Sequence, residues 1–227
     1  MVGCNNEVSM KWNQLFVSFL SFAPVTAAFS QDISWEKVKI FGGGHGERCN
    51  DSNSAFVPTG PEASFLLSTF GINMPKSRGM KLDPQSRNSS CNLEAAITIP
   101  QGYYMKTLTQ KLSLSVLKDI GATGGISTNG FVFQNQIPVN QINVFLKPEE
   151  VYRPENSVIE RTNVQIFSPE VKSIMCAQSA FGPLRTVFKL QLLTTGNRLF
   201  TNQGFLLNVG NQDVVFGLSP SIVPCSE

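Results

Sequence analysis

Apolar and polar residues alternate with a period of two along much of the chain. In 92–99, Leu93, Ala95, Ile97 and Ile99 fall on one face, and Asn92, Glu94, Ala96 and Thr98 on the other. In 108–116, Leu108, Leu112, Leu114 and Val116 share a face while Lys111, Ser113 and Ser115 point away. In 185–194, Phe188, Leu190 and Leu192 oppose Val187, Lys189 and Gln191. Such a pattern predicts antiparallel strands with one buried and one wet face. Further strands are predicted at 33–41, 63–70, 130–134, 163–167, 205–209 and 213–218. Turn signals separate them: Pro58-Thr59-Gly60-Pro61, Pro100-Gln101-Gly102, Gly124-Gly125, Thr195-Gly196-Asn197 and Val209-Gly210-Asn211. Two polar, proline-containing stretches, 73–90 and 148–160, read as long surface loops. No helical period stands out in this region. Many short strands with frequent turns predict an all-β fold: a two-sheet antiparallel β-sandwich, jelly-roll-like or immunoglobulin-like, in which each sheet covers the other's apolar face.

The start of the chain differs. From Met10 it has a basic Lys11, an apolar run over 15–22, and small residues around Ala27 and Ala28. That order is expected of a secretory leader, and the run is too short to span a bilayer. Residues 1–9 lack leader character, so Met10 reads as the initiator. The expected organisation is an extension and signal peptide over 1–27, then one secreted domain over 28–227. The product would be secreted or periplasmic, with no transmembrane anchor.

Five cysteines lie at positions 4, 49, 91, 176 and 225. Loss of the leader removes Cys4 and leaves an even count, which in an exported chain reads as two disulfides. Four cysteines allow three connectivities, and spacing does not choose among them. Sequential pairing, Cys49 with Cys91 and Cys176 with Cys225, is the expectation. A zinc site is disfavoured, since there is no CxxC spacing and His45 is the sole histidine.

Several residues together are familiar. Gly42-Gly43-Gly44 precedes Cys49, and Arg87-Asn88-Ser89-Ser90-Cys91-Asn92-Leu93 leads to Ile99-Pro100-Gln101-Gly102-Tyr103. Gly121-Ala122 precedes a Gly/Thr-rich strand, and Cys176 precedes the alternating segment at 185–194. The set resembles the family of small secreted fungal and bacterial proteins called domain of unknown function 4360. Its most specific element is carried by Arg87, Cys91, Leu93, Pro100, Gly102 and Tyr103. Near the first cysteine the match is loose: Gly46-Glu47-Arg48-Cys49-Asn50 stands where several members have Gly-Cys-Pro. The resemblance implies secretion and paired cysteines, and it brings no established activity.

Composition narrows the function classes. Of 227 residues, 15% are charged, against roughly 25% in ordinary soluble domains. The net charge of +2 comes without a dense basic run, so a nucleic-acid partner is not expected. No cofactor motif is present. GGGHGE lacks the Lys-Ser/Thr end and following helix of a phosphate loop, and reads as a glycine turn. The acids Glu62, Asp83, Glu94, Asp119, Glu149, Glu150, Glu155 and Glu160 read as solvated surface groups. Asn50-Asp51-Ser52 and Asn88-Ser89-Ser90 fit the N-glycosylation sequon. Among the aromatics Trp35, Tyr103, Tyr104, Tyr152, Phe131 and Phe133, the first four are the expected ligand-binding set. The expected function is therefore non-enzymatic: an extracellular module that binds a cell-surface polysaccharide or surface protein. The alternatives are a structural envelope or matrix protein, and a secreted hydrolase using loop carboxylates or His45.

Overall fold

The computed structural model describes residues 33–43, 49–50, 52–68, 70–132, 137–209 and 216–226. The segment read as a leader, His45 and Phe133 lie outside these residues. The strands are β1 (Ser34–Gly43), β2 (Ser54–Thr59), β3 (Glu62–Leu67), β4 (Phe70–Met74), β5 (Leu82–Ile99), β6 (Tyr103–Lys118) and β7 (Thr123–Val132). Then follow β8 (Ile137–Val139), β9 (Asn143–Leu146), β10 (Val158–Ile166), β11 (Leu184–Phe200), β12 (Phe205–Val209) and β13 (Phe216–Pro224), with one helix, α1 (Pro169–Ser179). They lie within one unit, Asp32–Glu227.

Two antiparallel sheets pack face to face, as the alternation predicts. One, sheet A, has the order β1-β5-β11-β7-β8, with β9 also paired to β7. The other, sheet B, has the order β2-β3-β13-β6-β12-β4, with β10 on the far side of β6. In sheet B, β12 and β13 lie end to end along β6: Asn208 opposes Ser115, and Phe216 opposes Leu112. The predicted faces hold, except that Ala96 on the outer face of β5 is buried. Leu93, Ala95, Ile97 and Ile99 of β5 are buried with Phe188, Leu190 and Leu192 of β11, and with Leu108, Leu112, Leu114 and Val116 of β6. Phe188 stacks on Phe216 across the sandwich, centroids 6.5 Å apart and planes 18° from parallel. Phe65 and Leu67 of β3 extend this core.

Trp35 closes one corner between the sheets. Its Nε1 donates to the Pro61 carbonyl of the β2–β3 hairpin at 2.8 Å, and its ring meets Phe56 edge-on. The opposite corner is polar. Residues 140–142 lie against β6 and β10: Gln110 Nε2 of β6 donates to Asn140 O at 3.0 Å, and Asn163 Nδ2 of β10 to Gln141 O at 2.9 Å. The cysteines pair sequentially, Cys49 with Cys91 and Cys176 with Cys225, each with Cα atoms 5.6 Å apart.

Five local expectations are corrected. The stretch 73–90 is not one long loop: β5 begins at Leu82 and stays paired to β11 down to Phe200. Its polar residues extend because a partner strand continues beside them, and Pro84 sits where that register shifts, a site that tolerates a missing N–H. The stretch 148–160 is likewise shorter as a loop, since β10 starts at Val158. Thr195-Gly196-Asn197 and Gly124-Gly125 are not turns but lie within β11 and at the start of β7. Gly196 and Gly124 oppose each other in register, and the Phe205 ring of sheet B fills the space above them. A Cβ would lie 2.7 Å from Phe205 Cε1 at Gly196 and 2.5 Å from its Cζ at Gly124. Finally, α1 follows Ser168, whose side chain accepts from Val171 N, with proline in the first turn. By contrast, the turns at Gly60 and Gly102 are where expected, with φ of 57° and 76°.

Candidate functional site

Because β5, β11 and β7 turn every second residue to the core, the alternate set forms the outer face of sheet A. Register places these outer residues in rows across the strands. One row runs Phe41 of β1, Asn92 of β5, Gln191 of β11 and Asn129 of β7. The adjacent row runs Lys39, Glu94, Lys189 and Phe131. Apart from Lys39, the two rows line a depression of about 300 Å³. Among the described residues, the amides of Asn92, Gln191 and Asn129 have no hydrogen-bond partner within the protein. Each amide offers donors and an acceptor. Together they form a short ladder of unspent hydrogen-bonding groups with aromatic rings at its flanks.

Charges around the depression are matched. Lys189 Nζ lies 3.8 Å from Glu94 Oε1, and one end of the same face holds an Arg185–Glu36 pair at 3.0 Å. Lys39 Nζ sits over the Phe41 ring, 4.5 Å from its centroid. Further along the face, Phe145 of β9 opposes Gly125 and is 76% exposed. Asn88, of the second sequon, is exposed on β5 opposite Thr195. In the first sequon, Asn50 Oδ1 instead accepts from Ser52 N at 2.9 Å and Ser52 Oγ at 2.6 Å, fixing a turn.

The expected ligand-binding aromatics do not share one platform. Trp35 is a corner plug whose N–H is already used. Tyr104 is buried, with Lys172 Nζ 5.2 Å from its ring centroid. Tyr103 stands beside it at the start of β6, opposite Pro224. Tyr152 bridges to Lys118 at the other end of β6. At roughly 3.4 Å per residue, that end is about 50 Å away.

Tyr152 instead lines a second cavity of about 220 Å³ with Met74, Leu117 and Phe205. Asp119 stands at this cavity. Its Oδ2 accepts from Lys76 Nζ and Gly204 N, both at 2.8 Å, and its Oδ1 from Arg153 Nη1 at 3.0 Å. Burial pushes the Asp119 carboxyl up. The hydrogen bonds from Lys76 and Gly204, the Lys76 charge and the Arg153 bond outweigh burial, and hold it below the usual carboxylate range. Neighbouring Lys118 is 1% exposed and donates to the carbonyls of Asp119 and Glu150. Burial lowers its pKa against the opposing charges of Glu150, Glu149 and Asp119. Burial, then Glu150, raises that of Tyr152. The Lys118 ammonium and the Asp119 carboxylate are thus both satisfied, and their bonds tie β6 to the chain after β9 and to the chain after β4.

Among the described residues, no group of three or more His, Cys, Asp or Glu could hold a metal ion. No described helix is long and apolar enough to cross a membrane. Sequence reasoning puts Asn92, Lys189 and Gln191 on wet faces, and names Phe131 among the aromatics. It misses Phe41 and Asn129. The row itself is written in strand order and register, which no local pattern carries.

No family model matches the chain, and no curated protein matches it. Among solved structures, the enzymatically active domain of tailspike protein 4 of bacteriophage CBA120 is similar at 13% identity. That match covers 82% of this chain and 19% of the tailspike chain, with a TM-score of 0.23, too low to define a shared fold.

Proposed function

We propose that this chain is a secreted, non-enzymatic binding module, and that the outer face of sheet A takes a cell-surface polysaccharide. The observation that carries the proposal is the in-register row Phe41–Asn92–Gln191–Asn129, whose three amides lack protein partners. Sugars present hydroxyls that both donate and accept, which amides match, and apolar C–H faces, which aromatic rings match. The ligand-binding role expected of Trp35, Tyr103, Tyr104 and Tyr152 passes in this proposal to Phe41 and Phe131. Disulfides at both ends of the domain suit export. The leader over 1–27 and membership of the family of unknown function named above belong to the same proposal.

The test is retention of the secreted, oxidised protein on a panel of insoluble polysaccharides and whole cell envelopes. Selective retention on one glycan is expected, lost when Asn92, Gln191 and Asn129 are all replaced by alanine while the fold persists. Equal retention of that variant would move the binding site elsewhere.

A further inference from the structure

Resting on that reading, we infer that the ligand is a linear, uncharged glycan lying across the strands of sheet A, from Phe41 on β1 to Phe131 on β7. Direction follows from the rows. Along β5 the outer residues are Asn88, Ser90, Asn92, Glu94 and Ala96, so a ligand of about 14 Å lying parallel to the strand meets at most two amides, Asn88 and Asn92. A ligand perpendicular to the strands meets three, one each on β5, β11 and β7. Neighbouring strands are about 4.8 Å apart, so the three steps from β1 to β7 span about 14 Å. That length exceeds one sugar ring and calls for an oligomer in extended form.

The absence of ligand charge follows from the pairing around the depression. Glu94 is matched by Lys189 and Glu36 by Arg185, so neither carboxylate is left to draw a cationic sugar. Lys39, the remaining cation of the two rows, is engaged with the Phe41 ring. When a sugar stacks there, the flexible Lys39 stem lets the ammonium turn to Glu94, which it opposes in register, so the charge stays matched. Recognition then rests on hydroxyl–amide bonds and ring stacking, both weakly sensitive to salt.

Titration calorimetry with gluco-, manno- and chito-oligosaccharides, from monosaccharide to hexasaccharide, tests this at low and high salt. Affinity within the preferred series should rise with length and level off once both rings are covered. High salt should change it little. Phe131→Ala should lower the affinity of long oligomers about tenfold, the scale of one ring contact, and bring the plateau to shorter chains. Gln191→Ala, at an exposed position that cannot unsettle the core, should weaken every length. Phe145→Ala is the control: Phe145 lies on the same face but about 14 Å along the strands from the Asn129 row and about 20 Å from that of Phe131, and its loss should change nothing. Length-independent binding, binding confined to uronate-bearing glycans and abolished by salt, or equal effects of Phe145→Ala and Phe131→Ala would each overturn the inference. Retention on an insoluble glycan without the length plateau defeats this inference and leaves the binding reading standing. No binding to any glycan defeats both.

Discussion

Removing the Cys176–Cys225 bond tests what holds the chain end to the sandwich. Cys176 lies on α1 and Cys225 just past β13, 49 residues later. The Cys225 N–H also donates to Gly102 O at 2.9 Å, and Val223 and Pro224 pair with Tyr104 and Tyr103. These contacts persist in the folded Cys176→Ala/Cys225→Ala variant. Its loss therefore comes mainly from a less restrained unfolded chain. The chain-entropy relation gives about 4 kcal/mol for a loop of this length. In a domain of this size that lowers Tm by about 8–16 °C. The relation is logarithmic, so the 42-residue loop closed by Cys49–Cys91 should contribute almost the same. Because Cys49 and Cys91 are buried, their removal adds a modest packing loss. Urea titration and calorimetry of both double variants provide the comparison, and the slope against urea should rise as the uncrosslinked unfolded chain exposes more surface. A loss below about 1 kcal/mol for Cys176–Cys225, with the urea slope unchanged, would refute the reasoning. The β6–β13 ladder would then fix the chain end unaided.

Three other perturbations follow from the packing. Phe216→Ala removes a fully buried ring stacked on Phe188 and should cost about 3–5 kcal/mol by chemical denaturation. Gly124→Ala places a methyl group 2.4 Å from Thr195 O and 2.5 Å from Phe205, and should cost about 1–3 kcal/mol; pairing it with Phe205→Leu should recover part of that loss. Asp119→Asn should cost about 1–2 kcal/mol at neutral pH, because one neutral amide oxygen replaces a charged carboxylate that accepts from Gly204 N–H, Lys76 and Arg153; the cost stays modest since Lys76 and Arg153 are half exposed and their ion pairs are screened. The Asp119 carboxyl titrates lower in the folded state, so its contribution is present above the unfolded pKa and is lost as pH falls through the folded one. The gap between wild type and Asp119→Asn should therefore close in acid; a gap independent of pH would contradict this assignment.

The long alternating segments were legible because burial follows pleat parity. Leu93 to Ile99 and Phe188 to Leu192 face the core as their spacing predicts. Leu82–Asn88 was not legible, because most of its side chains are wet and its extension is imposed by β11. The glycines at 124 and 196 carry the same signal as turn glycines, although here they admit a neighbour's ring. For α1 the signal was present, with Ser168, Pro169 and Glu170 forming an N-terminal signature, but the helix buries only Met175 and Ser179 and its apolar stripe is weak. The candidate site divides the same way. Each amide's exposure follows from its own strand, whereas their alignment depends on β11 lying between β5 and β7, a long-range fact.

The glycine pair under Phe205 also bears on how the chain avoids misalignment. Strand alternation forbids one-residue slips between β7 and β11, since those would turn either Ile126 or Leu192 to solvent. It does not forbid two-residue slips, which keep every side chain on its own face. Those would set Thr194 or Arg198, rather than Gly196, across from Gly124. The vacancy above the pair would then be half closed, and Phe205 could not seat. A ring in one sheet thus proofreads the pairing of two strands in the other, and the sandwich closes over the alignment that leaves the notch open.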